Sequence, residues 1–159
     1  MESQLPDSDP RRTDRPATPV EPDVGDRYLV VGGGRRGRAL AESLAGDHPV
    51  VHVDTDPDAV ADVASYDATH VPNEAALVAQ VTAHAAPTDP IVVLAPSDAR
   101  TLLLVQRLRT TGAFERIYAV LQDPRNASAF AIPDVEVVCP GDAIAAAIAT
   151  ARTAVPRDD

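Results

Sequence analysis

The segment YLVVGGGRRGRALAESL, residues 28–44, constrains this chain more than any other. An apolar run from Tyr28 to Val31 stops at three consecutive glycines, two arginines follow, and helical spacing begins around a fourth glycine. Gly32, Gly34 and Gly37 spell G-x-G-x-x-G. Alone that pattern is weak, but here it follows a strand-like run and opens a helix. An acidic residue, Asp54, also ends the next apolar run about 20 residues on. The combination predicts a phosphate cradle belonging to a dinucleotide or adenine-nucleotide site.

The rest of the chain repeats the same rhythm. Apolar, β-branched runs at Tyr28–Val31, 49–54, 68–72, 90–96, 116–123 and 135–140 read as six strands. Between them, helices are expected over 35–45, 57–66, 73–85 and 97–110, with a short one at 124–131 and an alanine-rich one at 141–154. Ala39, Leu40, Ser43 and Leu44 fall on one side of the first helix. Asn73 and Ser97 suit N-caps, Pro57 suits a first helical turn, and Gly112 suits a helix end. Strands alternating with helices imply right-handed crossovers and a parallel sheet covered on both faces. The runs at 91–94 and 135–138 lack polar alternation, as strands buried on both faces do. The expected fold is therefore α/β: a Rossmann-like, doubly wound parallel sheet of about six strands, order 3-2-1-4-5-6, in three αβα layers. Residues 27–153 carry it. Residues 1–26 hold little that is apolar and are expected to be a disordered tail, with a frayed end at 154–159.

Each fingerprint position has its own physical task. Gly32 lets the chain turn sharply out of the strand, Gly34 lets phosphate approach the backbone, and Gly37 lets the helix lie close to the strand. The helix N-terminus supplies N–H groups and partial positive charge, to which Arg35 and Arg36 add full charges. Either arginine can hold phosphate or remain a solvated surface group. Asp54 is expected to accept hydrogen bonds from ribose hydroxyls, and its charge repels a 2′-phosphate, which favours NAD(H), or ADP and ATP, over NADP(H). The competing reading is that Asp54 only opens the turn DTDP. Thr55, beside it, is assigned to the same site, while Asp56 reads as the cap ahead of Pro57. Ala95 and Ser97, after the fourth strand, border the crevice at the switch point, and capping alone accounts for Ser97.

Catalytic groups do not assemble in the sequence. His48, His52, His70 and His84 are scattered without metal-ligand spacing. His52, inside a strand, reads as a satisfied core or edge histidine, and His84 suits the C-terminal end of a helix dipole. The single cysteine, Cys139, can form no internal disulfide and no zinc site without His partners. No catalytic residue and no metal ligand is assigned, and the chain is expected to bind rather than catalyse.

Composition narrows the partners. Asp and Glu number 24 against 14 Lys plus Arg, for a net charge of -10; every one of those basic residues is Arg, and aromatics are only 3%. An acidic, lysine-free surface suits very high salt, as in haloarchaeal proteins. Clustered carboxylates repel in dilute buffer, and molar salt screens them over about 3 Å. The same charge argues against a nucleic-acid partner, which needs a basic footprint. No signal-peptide core and no run of about 18 apolar residues is present, so a soluble, cytoplasmic protein without membrane insertion is expected.

The residues quoted above resemble the RCK N-terminal domain, also called TrkA-N. Gly32, Gly34, Arg35, Gly37, Arg38, Leu40 and Ala41 fit its strand–G-x-G-R-x-G-R-x-L-A opening, and Asp54, Asp56 and Pro57 fit its second strand and following D-P pair. The likeness runs over about residues 27–150, specific in the first third and generic after it. The family often has G-D-A-T after its third strand: either Asp67-Ala68-Thr69 is that motif with the preceding strand missing, or, as the position of Leu77 favours, ATHVP is the strand and Pro72-Asn73 stands in place of Gly-Asp; Val120 stands where the family often has Arg. The resemblance implies a regulatory module that binds NAD(H) or an adenine nucleotide and self-associates as a homodimer or higher homo-oligomer. It implies a site on the cytoplasmic side of a K⁺ channel or transporter, peripheral to the membrane, with ligand-dependent control of that partner. Two other readings stand beside it: a partnered NAD-dependent oxidoreductase subunit, and an interaction module with a vestigial pocket.

Overall fold

A computed structural model describes residues 27–153; the tail expected over 1–26 and the frayed end expected over 154–159 lie outside the described residues. Six strands form one sheet: β1 (Tyr28–Gly32), β2 (Val50–Asp54), β3 (Asp67–His70), β4 (Ile91–Leu94), β5 (Ile117–Val120) and β6 (Val135–Val138). All neighbours pair in parallel, in the order β3-β2-β1-β4-β5-β6. The order reverses between β1 and β4, so a crevice opens where the chain leaves these two strands toward opposite sides.

Parallel strands need helical crossovers, and their side chains divide between two apolar layers. Val30, Val50, Val92 and Leu94 pack with Ala41 of α1 (Gly34–Leu44). Leu29, Val31, Val53, Ile91 and Val93 pack with Leu77, Val78 and Val81 of α3 (Glu74–His84) and with Leu104, Val105 and Leu108 of α4 (Asp98–Thr111). Consecutive residues of β1 thus bury into different layers, which is why the strand reads as an unbroken apolar run. The caps are local. Asn73 Oδ1 accepts from Ala76 N–H at 2.9 Å, and Ser97 Oγ accepts from Arg100 N–H at 3.3 Å. At the sheet end away from the crevice, Asp89 is fully buried and takes Arg27 Nη2 at 3.2 Å and Ala86 N–H at 2.8 Å, which ties the start of β1 to the start of β4.

Four local expectations differ from the structure. The face of α1 turned inward runs through Gly37, Leu40, Ala41 and Leu44, leaving Ala39 and Ser43 exposed, because the close approach at Gly37 sets the helix's rotation. The helix expected over 57–66 is a single turn, α2 (Pro57–Val60). Arg38 Nη1 donates to the carbonyls of Asp58 (3.3 Å) and Ala61 (2.8 Å), acceptors that a longer helix would use internally, and Asp62 turns away with φ 54°. Gly112 does end α4, but with an extended backbone; a Cβ there would collide with the Phe114 ring, so its task is space, not a left-handed turn. β6 is only half-buried, since α5 (Pro140–Thr153) has no buried residue and leaves that strand an open flank. The short helix after β5, Pro124–Phe130, is a 3-10 helix that sets Phe130 into the core.

Candidate functional site

The site is built where β1 meets α1. Gly32, Gly33 and Gly34 all have positive φ (72°, 92° and 55°), so the chain leaves the strand through three left-handed residues in succession. At Gly32 a Cβ would press on the Leu94 carbonyl oxygen. At Gly37, where the backbone is ordinary, a Cβ would strike the Gly32 carbonyl oxygen and lie 2.9 Å from His52 Nε2. Gly34 is different: the nearest neighbour of a Cβ would be Asp56 Oδ2 at 3.6 Å, an ordinary contact, so the positive φ and not a clash is what asks for glycine there. Gly33, the variable position of the fingerprint, carries as strong a demand as its neighbours. It is the N-cap of α1, and its carbonyl takes the N–H groups of Arg36 and Gly37 at 3.1 and 3.2 Å. The run of three glycines in the sequence is the signal for it.

The loop borders a cavity of about 420 Å³ at the C-terminal edge of the sheet. That lies within the roughly 300–1,000 Å³ of ordinary small-molecule sites. Gly32 to Arg36 form one wall, Asp54 to Asp56 the second, and Leu94 to Pro96 the third. Leu77 and Leu104 supply an apolar floor, with Glu74 and Arg100 from the first turns of α3 and α4 at its side. Of the residues singled out in the sequence, Gly32, Gly34, Arg35, Arg36, Asp54, Thr55 and Ala95 line this space. Gly37 lies beneath it as a packing residue, and Ser97 is turned to its capping role. Pattern reading missed Glu74, Leu77, Arg100 and Leu104. They reach the site only because α3 and α4 begin beside each other, and no local motif marks them.

Charges of both signs meet here. Arg35 is exposed beside the glycine loop. Arg36 reaches over the switch point, where its Nη2 donates to the Ala95 carbonyl at 3.2 Å. Glu74 lies 3.9 Å from both Arg100 and Arg107. Asp54 is the buried member, 3% exposed. Its Oδ2 takes Gly34 N–H at 2.8 Å and lies 3.3 Å from His52 Nε2, and its Oδ1 takes Asp56 N–H at 2.9 Å. Burial pushes this carboxyl up, and the His52 hydrogen bond with the two backbone N–H groups outweighs it, holding the group below the ordinary carboxylate value. Asp56 caps α2 by accepting Asp58 N–H at 3.0 Å and also faces the cavity. Among the described residues no helix is long and apolar enough to cross a membrane.

Comparison with known proteins agrees with this geometry. The profile of the TrkA-N domain matches residues 28–140. The NAD(P)-binding domain of an exopolyphosphatase-related protein from Archaeoglobus fulgidus superposes with a TM-score of 0.61 at 18% identity, over 82% of this chain and 99% of that one. The TrkA-N domain of the inner membrane protein ybaL from Escherichia coli superposes with a TM-score of 0.60 at 20% identity, over 80% of this chain and 96% of that one. At such identities the structures establish a shared Rossmann-like fold. No curated protein matches the chain. With the profile spanning residues 28–140 and the sheet order and glycine turn in place, the chain belongs to the TrkA-N domain family.

Proposed function

We propose that this domain binds NAD(H) in the cavity at the C-terminal edge of its sheet and acts as a regulatory module for potassium-ion transport by a membrane channel or transporter, without catalysing a reaction itself. The observation that carries the binding part is one continuous cavity joining the glycine turn, the Asp54 carboxylate and an apolar floor of Leu77 and Leu104. Those three surfaces suit the three parts of an adenosine diphosphate moiety. The glycine turn and the start of α1 would hold the pyrophosphate, with Arg35 supplying charge. Asp54 would accept from ribose, and the apolar floor would take the flat base. A carboxylate at the ribose edge disfavours a 2′-phosphate, so NAD(H) is favoured over NADP(H). The bound dinucleotide would bring redox chemistry, yet the residues around the cavity supply positioning and charge, with no His or Cys on its walls.

The regulatory part rests on family membership and on the likeness to a domain of an inner membrane protein. Control of a partner requires that the two states of the module bind the nucleotide with different affinity. In this reading the module works at the cytoplasmic face of the membrane, as a dimer or larger homo-oligomer.

Calorimetry in about molar KCl, which screens the acidic surface, tests the binding part. NAD⁺, NADH, NADPH, ADP and ATP are titrated against the full chain, Asp54→Ala and Gly34→Asp. Saturable NADH binding is expected, weaker by about tenfold or more in Asp54→Ala. It should be abolished in Gly34→Asp, which sets a carboxylate where phosphate approaches. Equal or tighter binding of NADPH would overturn the ligand assignment. No binding of any nucleotide by the folded chain would overturn the sensor reading.

A further inference from the structure

His52 is fully buried at the centre of β2, paired in register with Val30 of β1 and Ala68 of β3. A histidine there breaks the apolar pattern of a strand covered on both faces, and its ring points toward the glycine turn. Nε2 lies 3.1 Å from the Gly32 carbonyl oxygen and 3.3 Å from Asp54 Oδ2. Both of those atoms are acceptors, so Nε2 carries the proton; it bonds the Gly32 carbonyl, and the Asp54 carboxylate is a second, less aligned contact. Nδ1 is buried without a hydrogen-bond partner among the described residues. A buried polar atom left unpaired is destabilising. Packing alone would favour an apolar residue, as at the paired positions Val30 and Ala68. The nitrogen that is satisfied joins two parts of the candidate site that are otherwise separate in sequence.

Resting on the nucleotide-site reading above, we propose that His52 is a positioning residue of that site: its Nε2–H, bonded to the Gly32 carbonyl with the Asp54 carboxylate close beside it, locks the phosphate-side turn to the ribose-side acid as one unit. The lock closes through backbone as well. Asp54 Oδ2 takes Gly34 N–H, and Gly37 is kept free of a side chain by the same two atoms, Gly32 O and His52 Nε2. A carboxylate offers about four acceptor positions. Gly34 N–H takes one on Oδ2 and Asp56 N–H one on Oδ1, and the His52 ring crowds the rest of Oδ2, which leaves Oδ1 the position for a ribose hydroxyl. Recognition therefore depends on the carboxylate's orientation, and His52 sets it. The Tyr66 ring also lies beside His52, with ring centroids 6.4 Å apart.

The test compares His52→Met, which fills the space without a donor, with His52→Gln, which can place an N–H near the Nε2 position. Both are measured in the full chain in about molar KCl, with circular dichroism confirming the fold. NADH affinity is expected to fall about tenfold in His52→Met and to stay within about threefold of wild type in His52→Gln. In an Asp54→Ala background His52→Met should have no further effect, since the histidine acts through that carboxylate. Without any nucleotide, the Asp54 carboxyl followed by carbon NMR should titrate at higher pH in His52→Met than in wild type, and the Gly34 amide should exchange faster. Unchanged NADH affinity with an unchanged Asp54 titration would overturn the proposal, and so would an equal loss with and without Asp54. If wild type binds no nucleotide while the Asp54 titration still moves in His52→Met, the nucleotide reading falls and the lock between turn and acid stands.

Discussion

The Asp54 carboxylate is removed from water with donors on both oxygens, and that arrangement has a pH signature. Burial raises the group, hydrogen bonds from His52, Asp56 N–H and Gly34 N–H lower it, and the net direction is down from 3.8. A carboxyl with a lowered folded-state pKa adds stability above its unfolded value, and that stability is lost as pH falls through the folded value. Asp54→Asn should therefore be less stable than wild type at pH 7, by about 1–2 kcal/mol. The gap should close as the pH drops below about 4. Urea melts at several pH values check this. A gap that persists at low pH would place the deficit in the amide's geometry, not in the lost charge. The comparison must be made by difference. Asp98 is also lowered, its burial outweighed by Gln122 N–H, the Asn126 amide and Asp123 N–H, and Asp123 is lowered by Arg125, so the wild-type acid limb mixes all three.

Elements differ sharply in what they contribute to the fold. Helix α1 is held close to the sheet by Gly37 and by Ala41, which is fully buried, so it cannot shift without moving the glycine turn. α4 buries Thr101, Leu104, Val105 and Leu108 and closes the apolar floor of the cavity from the same face. α5 does neither. Its fourteen residues include none that is buried, and Ile144 and Ile148 are 59% and 64% exposed. Alanine propensity forms this helix, with little burial behind it. Truncation after Cys139 should accordingly leave the fold intact, with the melting midpoint lowered by less than about 4 °C, the shift expected from 1 kcal/mol or less. A collapse of the melting transition would mean that α5 is held by contacts between copies of the chain. Sedimentation of the truncated and full chains at matched concentrations separates the two outcomes.

The whole molecule carries a formal charge of -10 with every basic residue an arginine. Self-repulsion at that charge acts against the compact state, and salt shortens its reach from about 10 Å at 0.1 M to about 3 Å at 1 M. The thermal midpoint is expected to rise by several degrees between 0.1 and 2 M KCl, and to rise comparably in NaCl at equal ionic strength. A flat profile would show that the acidic surface is already balanced by local pairs such as Arg38–Glu42 and Arg109–Asp134. The same experiment bears on nucleotide affinity, since screening weakens any repulsion between the acidic surface and an anionic ligand.

Strand positions, helix order and the glycine turn were legible in the sequence because each is encoded locally. β-branched runs covered on both faces cannot be helices of this length, and positive φ at Gly32 to Gly34 asks for glycine residue by residue. Right-handed crossovers then leave few arrangements for six such strands, and 3-2-1-4-5-6 is the one observed. Tertiary structure alone decided what depends on groups distant in the chain. Arg38 took the carbonyls of Asp58 and Ala61 and stopped α2 after one turn, against a local sequence that allowed more. Glu74, Leu77, Arg100 and Leu104 became cavity residues because two helix starts converge. His52 read as a satisfied core or edge histidine; it is in the core, yet its Nδ1 has no partner among the described residues. That its one donor joins Gly32 to Asp54 depends on distances no spacing rule contains, because a hydrogen bond is set by where two strands and a turn meet in space.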